Sequence, residues 1–189
     1  YESKNGLVAF LPRHGSKHLI PPHKIPYKAN LLALKSMGVR FIISTAVVGS
    51  LKKNISPGTF VVPDQFVNFT WGRDDYFDID KKIMHLPLTK PYCKNLRSLI
   101  FKHAQKSNIP TQKEGTVVVI QGPRFSTLAE SKWFIENDWD IVNMTQYPEN
   151  YFARELGLCY AAICSVTDYD TAIVSRIKMD AKNIEKVLK

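Results

Sequence analysis

The sequence predicts an α/β domain with a largely parallel sheet covered by helices on both faces. Two patterns predict it. Apolar, β-branched runs without clean alternation recur along the 189 residues, as expected of strands buried on both faces. Between these runs lie segments whose apolar residues fall at helical spacing, so strands and helices alternate. Size agrees. A chain with 44% apolar and 23% charged residues can fill one sizeable core and is short for two domains.

The expected strands are residues 7–11, 39–48, 59–62, 116–120, 141–144 and 158–166, each bounded by turn residues. The first expected helix, 27–37, stops at Gly38, a residue suited to the left-handed position after a helix. A second covers 93–107. A third, 126–137, opens on Ser126 and Thr127 with Glu130 following, a capping arrangement. A fourth, 148–156, has Pro148 in its first turn and ends before Gly157. A last helix is expected at 179–188.

Composition excludes several classes. No apolar run approaches the ~18 residues of a membrane span, and the first residues lack the layout of a secretory signal. The net charge of +9 comes from scattered lysines rather than a basic cluster interleaved with aromatics. It reads as a solvated basic surface, and no nucleic-acid partner is expected. The three cysteines, Cys93, Cys159 and Cys164, are few and odd in number, which implies a reducing, cytoplasmic setting. Cys159 and Cys164 lie in an apolar run and read as buried thiols. With no His or acid at ligand spacing beside them, no metal site is expected.

Ligands of such sheets bind beyond the carboxyl ends of the strands, so polar residues that end apolar runs are the candidates. The first group is Phe10-Leu11-Pro12-Arg13-His14-Gly15, followed by His18. Arg13 offers a planar fork of donors suited to phosphate oxygens, and His14 can add another. An exposed basic turn is the plain alternative. The second is Gln121-Gly122-Pro123-Arg124-Phe125-Ser126-Thr127, between a strand and a helix. Phe125 there could stack on a planar ring or close the core, and Arg124 could bind an anion or form a structural ion pair. The third is compound: Asn143-Met144-Thr145 ends one run, and Thr167-Asp168-Tyr169-Asp170 ends the next. Two carboxyls after a long apolar strand are poorly solvated, so one can hold a proton near neutral pH and act as an acid, with an Asp-rich turn as the plain alternative.

Taken in order, these motifs, together with residues 45–50 ending in Gly49-Ser50 and with Asn143-Met144-Thr145-Gln146-Tyr147-Pro148-Glu149, resemble the methylthioadenosine phosphorylase branch of the trimeric purine nucleoside phosphorylases. The resemblance covers roughly residues 7 to 170. It implies a three-layer α/β/α fold with a mostly parallel mixed sheet, and a pentosyltransferase that works in purine and methionine salvage. It implies that Arg13, His14 and Thr145 bind phosphate, and that Asp168 and Asp170 are the catalytic pair at the purine. Asp168 would protonate N7 and Asp170 would accept from the 6-amino group. Phe125, Asn143, Met144, Thr167, Val47, Val48, Gly49 and His18 would line the nucleoside site, His18 toward the 5′ side of the sugar. It further implies a homotrimer with a nucleoside and phosphate as its partners, phosphate as co-substrate rather than cofactor, and no metal.

The departures from the family are also legible. The chain reads as one domain, residues 1–189, lacking the family's N-terminal strand and glycine-rich turn and part of its C-terminus. Ala46 stands where a phosphate-binding hydroxyl is usual, Val47 replaces an alanine, and Leu128 stands where Arg is common. The alternatives are a 6-oxopurine nucleoside phosphorylase, a nucleosidase that uses water, and a catalytically weak nucleoside-binding protein. The paired aspartates favour a 6-amino base over the first, and Arg13 with His14 favours phosphate over water.

Overall fold

A computed structural model describes residues 1–3, 6–77 and 85–173. A short hairpin of β1 (Glu2–Ser3) and β2 (Gly6–Leu7) precedes a seven-stranded sheet. In chain order the sheet strands are β3 (Phe41–Ser50), β4 (Phe60–Val61), β5 (Gln65–Phe69), β6 (Thr111–Gln112), β7 (Thr116–Ile120), β8 (Ile141–Asn143) and β9 (Cys159–Tyr169). Their spatial order is β5-β7-β8-β3-β9-β4-β6. The pairs β5–β7, β7–β8, β3–β9 and β4–β6 are parallel, while β3–β8 and β4–β9 are antiparallel, so the sheet is mixed and mostly parallel.

Helices α1 (Tyr27–Ser36), α2 (Lys94–Lys106), α3 (Leu128–Glu136) and α4 (Gln146–Glu155) cover the sheet. The alternation along β7 shows two cores. Val117 and Val119 enter one cluster with Leu31 of α1 and Phe152 and Ala153 of α4. Val118 and Ile120 enter a second with Phe134 of α3. Successive strand residues point to opposite faces, so both faces of the sheet are covered and the layers are three. The expected cap on α3 is present. Thr127 accepts from the Glu130 amide, and the Glu130 carboxylate accepts from the Thr127 amide.

Several expectations need correction. The strand expected at 7–11 ends at Leu7; beyond it Val8 and Phe10 are exposed and pair with no sheet strand, because apolar content alone cannot supply a neighbouring ladder. The edge strand β5 and the two-residue β6 were not expected from the sequence; β5 mixes polar and apolar residues and is only half-buried. The reading of Cys159 as a buried thiol is overturned. Cys93, the residue before α2, and Cys159, which opens β9, form a disulfide with Cα atoms 5.3 Å apart. The bridge closes a separation of 66 residues, worth about 4 kcal/mol in the chain-entropy picture. The cysteine count therefore no longer argues for a reducing compartment. Cys164 alone is a free buried thiol, its pKa pushed up to about 12 by burial. Among the described residues, no helix is long and apolar enough to cross a membrane and no His, Cys, Asp and Glu cluster fits a metal ion. The helix expected at 179–188 lies outside the described residues.

Candidate active site

The register of the sheet creates an opening. Val118 pairs with Val142 and Val142 pairs with Gly49, so the α3-facing side of β7 and β8 continues onto Gly49, Val47 and Thr45 of β3. Those residues pair with β9, Thr45 with Ile163 and Val47 with Ser165. Helix α3 covers only the β7–β8 half of that face. Over β3 and β9 it stays open, and Phe41, Ile43 and Val47 are exposed there. The result is a cleft of about 840 Å³ floored by Thr45, Val47, Ile163, Ser165 and Thr167. All the candidate residues line it: Arg13, His14, His18, Val47, Val48, Gly49, Phe125, Asn143, Met144, Thr145, Thr167, Asp168 and Asp170.

At one end are the aspartates. Opposite β3 the register shifts: Val48 pairs with Val166 but Gly49 pairs with Asp168, which leaves Thr167 as an extra, bulged residue. The Thr167 hydroxyl donates to Asp168 Oδ1 at 2.8 Å. Asp170 follows the strand and is anchored by its amide, which donates to Ser50 O at 2.8 Å. Gly49 makes room for both. A Cβ there would lie 3.7 Å from Asp168 Oδ2 and from Asp170 Cβ, and only 3.1 Å from Val142 Cγ1. Asp170 is buried, and among the described residues its Oδ2 makes no hydrogen bond. Burial raises the pKa of Asp168 against the Thr167 hydrogen bond, with the charge of Asp170 adding to the rise. Burial raises Asp170 too, opposed by the hydroxyls of Ser131 and Ser126 and by the Thr171 amide. Desolvation rather than mutual repulsion is the main cause at both positions.

At the other end lies Arg13. No sheet strand delivers it, contrary to the sequence reading. Strand β8 pairs with β3 only at Gly49 and Ser50, and the guanidinium packs against β3 beyond that contact. Nη1 donates to Thr45 O at 2.9 Å and to Thr145 Oγ1 at 3.4 Å, and Nη2 donates to Ser44 Oγ at 2.6 Å. Nε forms an ion pair with Glu149 Oε2 at 2.9 Å. Burial works against the Arg13 charge, but Glu149 and other neighbours outweigh it and its pKa is raised. His14 Nδ1 lies 2.8 Å from Ile20 O. A carbonyl only accepts, so Nδ1 carries the hydrogen and Nε2 is left as the second ring nitrogen. His14 stacks on His18 with centroids 4.4 Å apart. Burial lowers its pKa, with His18 and Arg13 contributing, against the pull of the Ile20 carbonyl.

The middle of the cleft is shaped by two loops. Asn143 Oδ1 accepts from the amides of Thr145 and Gln146 at 2.7 and 2.8 Å, which turns the chain from β8 into α4 and presents Met144 and Thr145. Gly122 has φ of 61°, and a Cβ there would fall 2.6 Å from Met144 Sδ, so glycine lets the Phe125 loop approach Met144. Arg124 takes the structural option: it pairs with Glu130 through two hydrogen bonds of 2.8 and 2.7 Å. Phe125 stays 63% exposed at the mouth.

Sequence reasoning missed two residues that hold these parts. Glu149 pairs with Arg13, and Arg73 bridges the two loops. Arg73 donates to Gln121 Oε1 and Gln121 O on one side and to Met144 O and Tyr147 O on the other, at 3.2, 2.7, 3.0 and 2.6 Å. Glu149 had a signal, an acid among residues of an otherwise buried helix face. Arg73 had none, being a lone arginine in a polar stretch.

The phosphorylase superfamily model matches residues 2–188. The S-methyl-5′-thioadenosine phosphorylase of Mycolicibacterium smegmatis is 52% identical over 168 residues, covering 88% of this chain and 62% of its own length. That of Saccharolobus solfataricus is 45% identical over 185 residues, 97% of this chain and 68% of its own. A crystal structure of a variant adenosine/methylthioadenosine phosphorylase from Schistosoma mansoni, in complex with adenine, superimposes with a TM-score of 0.90 at 37% identity, covering 94% of this chain and 70% of that one. The present chain thus spans less than two thirds of the Mycolicibacterium relative's length. Fold, site motifs and relatives agree, and the chain belongs to the phosphorylase superfamily, on its methylthioadenosine phosphorylase branch.

Proposed function

We propose that this chain cleaves the glycosidic bond of S-methyl-5′-thioadenosine with phosphate, giving adenine and 5-methylthioribose 1-phosphate. The observation that carries the reading is the single cleft with two unlike ends, a guanidinium with a hydroxyl at one and two desolvated carboxyls at the other. Phosphate held by Arg13, His14 and Thr145 attacks C1′ of the ribosyl group. The C1′–O bond forms, the C1′–N9 bond breaks, and the electron pair passes to the purine. Asp168, whose pKa burial raises, donates a proton to N7. Asp170, whose Oδ2 makes no hydrogen bond among the described residues, accepts from the exocyclic amine. Val47, Val48, Gly49, Thr167 and Phe125 enclose the base, Asn143 and Met144 the sugar, and His18 its 5′ side. Positioning the two reactants together can supply on the order of 7 kcal/mol or more.

Phosphate is the co-substrate in this scheme, and no step calls for a metal or cofactor. We also propose a homotrimer, on the family resemblance; the cytoplasmic location read from the cysteine count loses its support with the Cys93–Cys159 bridge. Sedimentation showing a fully active monomer would overturn the trimer.

The test is to incubate the protein with methylthioadenosine, with and without phosphate, and follow adenine release. Release only with phosphate is expected. Release without phosphate makes the protein a nucleosidase, and nucleoside binding without release makes it a binding protein.

A further inference from the structure

The Arg13 guanidinium does not reach the cleft as a free cation. Glu149, on α4 and only 6% exposed, faces Arg13 Nε with Oε2. Its Oε1 accepts from Ser44 Oγ at 2.9 Å and from Tyr160 Oη at 2.8 Å. Ser44 Oγ, while donating to Glu149, accepts from Arg13 Nη2. Carboxylate, serine and guanidinium therefore close a ring of contacts in the layer between β3 and α4. Tyr160 sits behind it, its own pKa held well above the usual phenol range by burial. A guanidinium is planar, so fixing Nε and Nη2 fixes the direction of the whole fork. Thr145 lies at the start of the same helix, and its Oγ1 meets Arg13 Nη1. One short segment thus supplies both the hydroxyl at the phosphate end and the carboxylate that aims its arginine.

We propose that Glu149 is a positioning residue for phosphate, acting through Arg13, with Ser44 as the link between the two. The inference rests on the phosphorylase reading, since it takes Arg13 to receive the anion. A purely structural ion pair would lower stability on removal and disturb both substrates alike. A positioning residue moves the phosphate constants alone and moves them only while Arg13 is present.

The experiment measures steady-state constants of Glu149→Gln, Arg13→Ala and the double variant, and binding of inorganic phosphate to each by titration calorimetry. Glu149→Gln is expected to raise the phosphate KM and the phosphate Kd by about 10-fold or more, from the loss of a charge-assisted contact. The nucleoside KM should stay within about twofold. Glu149→Asp should recover part of the loss, and in the Arg13→Ala background Glu149→Gln should change neither phosphate constant further. An unchanged or lowered phosphate constant, an equal rise for both substrates, or additivity with Arg13→Ala overturns the inference. If Glu149→Gln fails to fold, Ser44→Ala reads the same network, and a phosphate Kd within twofold of the unaltered protein overturns it equally. The calorimetric arm separates this inference from the function it rests on. An unaltered protein that binds phosphate but releases no adenine sinks the phosphorylase reading, and the variants still decide on Glu149. An unaltered protein that binds no phosphate overturns the positioning role itself.

Discussion

The two ends of the cleft solve opposite electrostatic problems. At the arginine end a partly buried cation is met at once by a carboxylate, a carbonyl and two hydroxyls, so its charge is kept and its direction is fixed. At the aspartate end Asp170 is buried and Asp168 half-buried, with no cation near enough to pair among the described residues, so both pKa values are raised and the groups become potential acids. Burial alone therefore does not decide what a charged side chain becomes. The presence or absence of a counter-charge does. A site for phosphate wants a permanent, aimed cation, and a site for a leaving purine wants a proton to give. The same sheet provides both because β3 has α4 against one face and the open cleft on the other.

The largest effect is expected where this contrast is broken most directly. Asp168→Asn keeps the shape and the acceptor for Thr167 but removes the proton donor, and should lower kcat by about 10²–10⁴, the usual worth of a general acid. A loss below tenfold would move the acid elsewhere. At the opposite end Arg13→Ala should raise the phosphate KM by about 10- to 150-fold, matching roughly 1.5–3 kcal/mol for hydrogen bonds to a charged group. The nucleoside KM should move far less. A lower Tm should accompany it, because Glu149 loses its cation while remaining buried. Equal changes in both KM values would mean that Arg13 supports the fold rather than the anion. Smaller again is the expected effect of Asp170→Asn on base choice. An amide can donate as well as accept, so the preference for adenine-type over hypoxanthine-type nucleosides should fall by roughly 1–3 kcal/mol in relative kcat/KM. A preference left intact would assign base reading to another residue.

The contrast also explains what could be read from the sequence. The strands at 116–120 and 141–143 and the capped helix around 128–136 were legible, since β-branched runs and a Thr-x-x-Glu cap act over a few residues. So was the carboxyl pair: Asp168 and Asp170 follow a long apolar run, and local context already implied their poor solvation. The arginine end was legible only as a list of groups. That Arg13 answers to Glu149 depends on contacts between residues 136 apart along the chain, and no local pattern encodes such a meeting. Arg73 was hidden for the same reason, because its role is to join carbonyls, which every residue has. The disulfide was hidden by arithmetic: an odd count suggested free thiols, whereas Cys93 lies before α2 and α2 packs on β9, where Cys159 sits.

The smallest expected effect is a gain in stability where activity is lost. The unfolded Asp168 carboxyl ionises near pH 3.9. In the folded chain burial raises that value, so between the two the native state holds more protons than the unfolded one. Stability should therefore fall as pH rises through this window and stay lowered above it, since the ionised form is the one burial penalises. Asp168→Asn removes the charge but not the volume and keeps an acceptor for the Thr167 hydroxyl. The variant should match the unaltered protein in Tm below about pH 4 and exceed it at pH 7, by about 2–4 °C for each kcal/mol relieved in a chain of this size. Thermal melts of the two proteins at pH 4 and pH 7 make the measurement. A Tm difference that is the same at both pH values would show that the carboxyl is not strained by burial, and the acid role would lose its physical basis. A difference that opens only as pH rises would show that the fold bears a standing cost for the group, the converse of the arginine end, where removing either charged partner should only destabilise.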